Sequence, residues 1–268
     1  MLKLVQSHDI ATSYNHQHLN LNTLFSHIYF ESTTSTNLVA RKLIEEGNPD
    51  PFTVISTDFQ LNGRGQSGNT WESEAGKNLL FSVILYPDFI PAHKQFIINQ
   101  LISVALCLEL EQLMPDASIW IKWPNDLLVN RKKIAGILIE NSIMNSKLGW
   151  SIAGIGLNVN QEMFGENLPL ATSIHAHLQR TTERNLLLTN IINQIQDQFT
   201  TLKGDNGLSL HALYMKRLFQ LNQQAQYRQN GTTFTATISR IDEYGRLVLL
   251  KNGQEEVFCD VKEIEFLY

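Results

Sequence analysis

Between two apolar, strand-like runs of this 268-residue chain lies Gly63-Arg64-Gly65-Gln66-Ser67-Gly68-Asn69-Thr70-Trp71. Three glycines within six residues allow backbone turns that a Cβ forbids, and their peptide N–H groups can approach an anion closely. Arg64 adds a fork of donors suited to a carboxylate or a phosphate. Trp71 ends the stretch with a large apolar plate. A loop of this kind needs rigid strands on either side, so it fixes what the chain around it must build. The same residues also fit a plain glycine-rich turn with Arg64 in solvent. No Gly-Lys-Ser or Gly-Lys-Thr follows, so the loop is not of the Walker type. Nor do the glycines open an apolar helix, as a dinucleotide fingerprint requires.

The runs around the loop read mostly as strands. Residues 25–31 alternate, 52–57 form a second strand, and 78–86 form an apolar strand closed by Pro87. Residues 119–129 hold two strands around a Trp123-Pro124-Asn125-Asp126 turn, and 134–139 and 150–159 continue the sheet. Helical periodicity runs from Leu38 to Ile44, stopped by Gly47 and Pro49. It returns at 96–114, 174–178, 186–202 and 208–221. From about Gln223 the pattern changes to three short strands at 234–239, 247–250 and 256–260. Asn230-Gly231, Glu243-Tyr244-Gly245 and Asn252-Gly253 mark turns there. The expected fold is α+β: a mixed or antiparallel sheet flanked by helices, followed by a small all-β module. The expected division is a polar lead-in at 1–24, a main domain at 25–222 and the β module at 223–268.

Composition narrows the partners. A formal net charge of -5 lacks the basic surplus of a nucleic-acid binder. Cys107 and Cys259 sit in apolar segments without CxxC spacing, as buried thiols in a reducing compartment would. The first thirty residues lack a basic start followed by an apolar core, and the apolar runs fall short of a membrane span. The expectation is a cytoplasmic protein with no DNA and no membrane partner. His16 and His18 have strand spacing for a metal pair, but a solvated polar tail fits them better.

Several residues exceed what local structure needs. Ser35, Thr36 and Asn37 end a polar run that begins at Ser32, where a strand enters a helix. One N-cap explains one hydroxyl; the rest suit a small polar ligand such as a ureido ring. Gln60, just before the glycine loop, has the donor and acceptor to join them. Lys122 and Asp126 flank the turn, and both a phosphate–Mg²⁺ site and a surface ion pair fit that placement. Lys133 precedes an apolar strand along which it can point, and Gly136 within that strand suggests a close approach by backbone or ligand. Gly154 and Gly156 remove side chains from one face of the next strand, and Asn158 and Asn160 follow on the same parity.

Taken in order, Ser35-Thr36-Asn37, the loop from Gly63 to Trp71, Lys122-Trp123-Pro124-Asn125-Asp126 and Lys133-Ile134-Ala135-Gly136-Ile137-Leu138 resemble the biotin protein ligases, the biotin–[acetyl-CoA-carboxylase] ligase family. The resemblance covers about 25–268. It implies a class II synthetase-like catalytic domain and a C-terminal SH3-like β-barrel. The space before residue 25 is too short for the DNA-binding domain of regulatory relatives, so the resemblance is to the ligase-only class. It implies that Ser35, Thr36, Asn37, Gln60, Gly63, Arg64, Gly65, Lys133 and Gly136 bind biotin. Arg64, Trp71, Lys122, Asn125 and Asn158 would serve the nucleotide, and Asp126 would meet Mg²⁺. Arg64, Lys122 and Lys133 would be the catalytic cations. The implied cofactors are ATP and Mg²⁺, with biotin as substrate. The implied partner is a biotin carboxyl carrier protein, and the expected state is a monomer or weak homodimer. Family loops often carry more basic residues where this chain has Gln66 and Ser67, so loop charge rests on Arg64. A lipoate or octanoate ligase or transferase of the same fold competes, as does a non-catalytic biotin-binding module. The Ser-Thr-Asn cluster and Gln60 favour a ureido ring, and Asp126 favours catalysis.

Overall fold

The structure, a computed structural model, describes residues 25–267. His16 and His18 lie outside the described residues. Seven strands form the first sheet: β1 (His27–Thr33), β2 (Val54–Gln60), β3 (Leu79–Leu85), β4 (Ile119–Lys122), β5 (Asp126–Val129), β6 (Lys132–Met144) and β7 (Lys147–Leu157). Their order is β1-β2-β3-β7-β6-β5-β4. Only the β1–β2 pair is parallel, and the segment that returns the chain to a parallel partner contains helix α1 (Thr36–Gly47).

Every residue of β3 is buried, because helices cover both faces of the sheet. On one face Ile84 joins Ala40 of α1 with Ile55 and Ile152. On the other, Phe81, Val83 and Leu85 join the main core under α2 (Phe96–Leu113). Two further helices, α4 (Arg184–Asp205) and α5 (Leu208–Lys216), pack on α2. Between β7 and α4 lies the short α3 (Ile174–Leu178), capped by the Ser173 hydroxyl, which accepts from the Ala176 N–H at 3.2 Å. The stretch Ala92–Leu113 is long and apolar enough to cross a membrane, contrary to the reading that no run reaches that length, but two-thirds of its most apolar eighteen residues are buried inside this fold.

Helix α5 stops earlier than the 208–221 periodicity suggests. The backbone after it pairs along β4: Ile121 N–H donates to Arg217 O at 2.8 Å and Phe219 N–H donates to Ile121 O at 2.8 Å. An available strand edge thus competes with the last helical turn. The Arg217 guanidinium holds the bend through two 2.7 Å bonds to the Glu111 carboxylate.

The second sheet holds β8 (Gln224–Gln229), β9 (Thr232–Ile241), β10 (Leu247–Lys251), β11 (Glu255–Cys259) and β12 (Glu265–Leu267) in the order β11-β10-β9-β8-β12. The expected closed barrel is therefore corrected to an open antiparallel sheet. Its outer strands β11 and β12 each pair with one neighbour and not with each other, and β12 is three residues long. Strand β8 carries few apolar residues and β12 is too short to show a period, which hid them from a pattern reading.

Both cysteines are free and buried. Burial pushes the Cys107 thiol far up and the Cys259 thiol to about 11. Thiolate is the reactive form, so at pH 8 both are expected to resist a thiol-specific disulfide reagent until denaturant is added. Rapid labelling of native protein would contradict this packing.

Candidate active site

A cavity of about 510 Å³ opens between the two sheets. At one end lie Ser35, Thr36 and Asn37, all buried at the start of α1. Ser35 occupies the N-cap, yet its side chain makes no capping bond. The opening amide is instead met from outside the helix: Thr36 N–H donates to Gln60 Oε1 at 2.9 Å. An orphan N–H of the first turn thus draws Gln60 to the cavity wall.

The floor is made of missing side chains. Gly154 on β7 pairs with Leu138 on β6 and with Ser82 on β3. A Cβ at Gly154 would lie 2.3 Å from Asn37 Oδ1, and one at Gly156 would lie 2.4 Å from the Trp71 indole. A Cβ at Gly136 would come within 3.0 Å of the same indole. The close approach expected at Gly136 is therefore made by Trp71. Gly154→Ala must push Asn37 out of its bonds, and overpacking of this kind costs ~1–3 kcal/mol. A fall of that size in a denaturant titration is the expected outcome; an unchanged midpoint would show that Asn37 yields freely.

The glycine loop forms a small hairpin roof. Gly65 N–H donates to Asn69 O at 2.7 Å, Trp71 N–H donates to Gly63 O at 3.0 Å, and Arg64 is bridged to Thr70. Arg64, Gly65, Gln66, Asn69 and Thr70 line the cavity. Arg64 is exposed at its mouth. The Trp71 indole N–H is buried without a hydrogen-bond partner.

The far end carries the charges. Lys133 Nζ stands 2.7 Å from Asp126 Oδ1 and 5.5 Å from the Trp71 ring centre. Asn125 is pinned to β6 twice: its Nδ2 donates to Ile137 O at 2.9 Å, and its carbonyl accepts from Ile137 N–H at 2.9 Å. Lys122 Nζ lies 5.4 Å from the Phe266 ring centre. The third wall, Ile264, Glu265 and Phe266, comes from the second sheet. Beneath this turn the Trp123 indole, 2% exposed, donates to Gly245 O at 2.9 Å.

The structure thus brings Ser35, Thr36, Asn37, Gln60, Arg64, Gly65, Trp71, Lys122, Asn125, Asp126, Lys133 and Gly136 around one cavity. Two of the expected residues do not line it. Gly63 stands behind the roof, where a Cβ would meet Trp71 O at 2.6 Å. Asn158 is buried beyond the end of β7, its Nδ2 donating to Thr172 O at 3.0 Å. Because β7 ends at Leu157, Asn158 and Asn160 do not continue the glycine row.

Sequence reasoning missed Leu170 and residues 264–266 in the lining. It also missed a buttress behind the loop, in which Asp58 accepts from the Tyr29 hydroxyl at 2.8 Å and from the Arg184 guanidinium at 2.8 Å. Burial and the Asp58 hydrogen bond push the Tyr29 hydroxyl up to about 12. These partners are 29 and 126 residues from Asp58, so no local spacing announces them.

The cleft carries hydroxyls and amides at one end and Lys122 and Lys133 at the other, a lining that suits a small polar molecule joined to an anion. Residues 29–158 match the family described as biotin/lipoate A/B protein ligases. The chain is 30% identical over 236 residues to the bifunctional ligase/repressor BirA of Bacillus spizizenii, covering 86% of this chain and 70% of that protein. It is 27% identical over 228 residues to the biotin–[acetyl-CoA-carboxylase] ligase of Mycobacterium tuberculosis, covering 84% and 82%. Among solved structures, the biotin protein ligase of Aquifex aeolicus in complex with biotin and ATP superposes with a TM-score of 0.72 at 23% identity, covering 89% of this chain and 97% of that one. The chain belongs to the biotin/lipoate A/B protein ligase family.

Proposed function

We propose that this protein activates biotin with ATP and passes it to a lysine of a biotin carboxyl carrier protein. The observation that carries the reading is the two-ended cavity. Buried Ser35, Thr36 and Asn37 with Gln60 meet a ureido ring at one end, Lys133 and Lys122 stand at the other, and Arg64 is exposed at the mouth. An aliphatic dithiolane chain has no use for the polar end.

The chemistry calls for those cations. A biotin carboxylate oxygen attacks the α-phosphorus of ATP, pyrophosphate leaves, and biotinoyl-5′-AMP forms. Two anions must therefore meet, each charge pair opposing the approach by roughly 4 kcal/mol at 4 Å and an effective dielectric near 20. Lys133, placed between Asp126 and the Trp71 ring, can exchange the Asp126 carboxylate for an acyl phosphate oxygen. In the second step the carrier lysine attacks the acyl carbon and AMP leaves. The Gly63–Trp71 hairpin screens the mixed anhydride from water until then.

No group of three or more His, Cys, Asp or Glu side chains able to hold a metal gathers among the described residues. Mg²⁺ fits this site as an ion arriving with ATP, held mainly by phosphate oxygens, with Asp126 as its protein carboxylate. It would neutralise phosphate charge.

ATP–pyrophosphate exchange, with biotin, lipoate and octanoate supplied separately at saturating Mg²⁺, tests the reading. Exchange with biotin alone is expected. Exchange only with lipoate or octanoate would move the chain to the other branch of its family. Biotin binding without exchange would make it a non-catalytic binder.

A further inference from the structure

A chain of hydrogen bonds leads from the surface to the polar end of the cavity. Arg41 on α1 pairs with Glu140 on β6. The other oxygen of Glu140 accepts from Asn37 Nδ2 at 3.0 Å, and the same amide nitrogen lies 3.4 Å from Leu138 O. Asn37 Oδ1 faces Ser82 Oγ at 2.6 Å, and Ser82 Oγ lies 2.7 Å from Thr36 Oγ1. Thr36 Oγ1 is in turn 3.3 Å from Gln60 Oε1, which already accepts from the Thr36 N–H.

The direction of this chain is fixed at its outer end. An ionised carboxylate only accepts. With Glu140 and the Leu138 carbonyl on one side, Asn37 must turn its amide nitrogen towards them and its oxygen towards Ser82. The single Ser82 proton then goes to Asn37 Oδ1. Ser82 Oγ is left to accept from Thr36, the shorter of the two bonds open to that hydroxyl. Thr36, which lines the cavity, is therefore left with its Oγ1 as an acceptor. Gln60, with its oxygen engaged at Thr36, presents its amide as a donor. An acceptor beside a donor matches the N–H and C=O of a cyclic urea.

We propose that Glu140 is a specificity-determining positioning residue, its charge setting the polarity of the Asn37–Ser82–Thr36 chain so that the site accepts a ureido N–H. The inference rests on the biotin reading above. Glu140 does not line the cavity and acts through Asn37. Glu140→Gln keeps the shape but supplies a donor, so Asn37 can reverse and Thr36 can turn its proton towards the ligand.

Biotin-dependent ATP–pyrophosphate exchange with the full chain is the test. Glu140→Gln is expected to raise the biotin KM about tenfold, the size of one charge-assisted hydrogen bond, with kcat and the ATP KM unmoved. Ser82→Ala cuts the same chain at its centre, so the double variant should do no worse than either single one. A wild-type biotin KM in Glu140→Gln, equal rises for biotin and ATP, or additive effects with Ser82→Ala would overturn the inference while leaving the ligase reading intact. Absence of biotin-dependent exchange in the wild-type chain would overturn both.

Discussion

Lys133→Ala is expected to lower biotin-dependent ATP–pyrophosphate exchange by about 10²–10³-fold, the usual loss when one preorganised charge-stabilising donor is removed. The side chain sits between the Asp126 carboxylate and the Trp71 ring at the cavity's charged end. It is 39% exposed, so its removal leaves the core intact, and the unfolding midpoint should stay near that of the parent. Lys133→Arg keeps the charge but replaces a compact ammonium by a planar fork, and should recover only part of the rate. Near-normal exchange in Lys133→Ala would remove this lysine from the reaction.

The largest loss of stability is expected from Trp123→Ala. Removing a buried aromatic side chain costs ~3–5 kcal/mol, and here the indole also donates to Gly245 O. Gly245 lies close against the start of α2. Its φ is +86°, and a Cβ there would lie 2.3 Å from the Phe96 ring. The bond therefore ties the turn before β5 to the β9–β10 turn, and both to α2. Denaturant unfolding should show an earlier and broader transition, with the second sheet lost first. Trp123→Phe, which keeps most apolar contact but not the N–H, should lose less. A Trp123→Ala protein as stable as its parent would mean that the two sheets are held together elsewhere.

Much of this molecule can be read from its sequence because the signals are local. The 96–114 periodicity became Phe96–Leu113, and the 174–178 reading became Ile174–Leu178. The Ser-Thr-Asn run, the glycine loop and the Trp-Pro-Asn-Asp turn each sit where strand and turn chemistry place them, and sheet order then brings them to one cavity. What escaped reading depends on distant neighbours. Nothing in Gln224–Gln229 marks a strand, since three of its six residues are glutamine; β9 and β12 on either side make it one. Nothing near Asn158 says that β7 has already ended. The last turns predicted for α5 gave way to pairing with β4. Glu140 reads as an ordinary charged residue after an apolar strand until Asn37, 103 residues away, is laid beside it.

The cavity has walls from two sheets that share one buried core and are also tied by Trp123 to Gly245 and by Lys122 against Phe266. A molecule filling it touches both walls at once and acts as a removable clamp. Heat resistance then becomes a reporter of occupancy. A ligand at a hundred times its dissociation constant adds about 2.7 kcal/mol to the folded state, and here that gain is shared by both sheets. The melting midpoint should rise as the site fills, before any chemistry is measured.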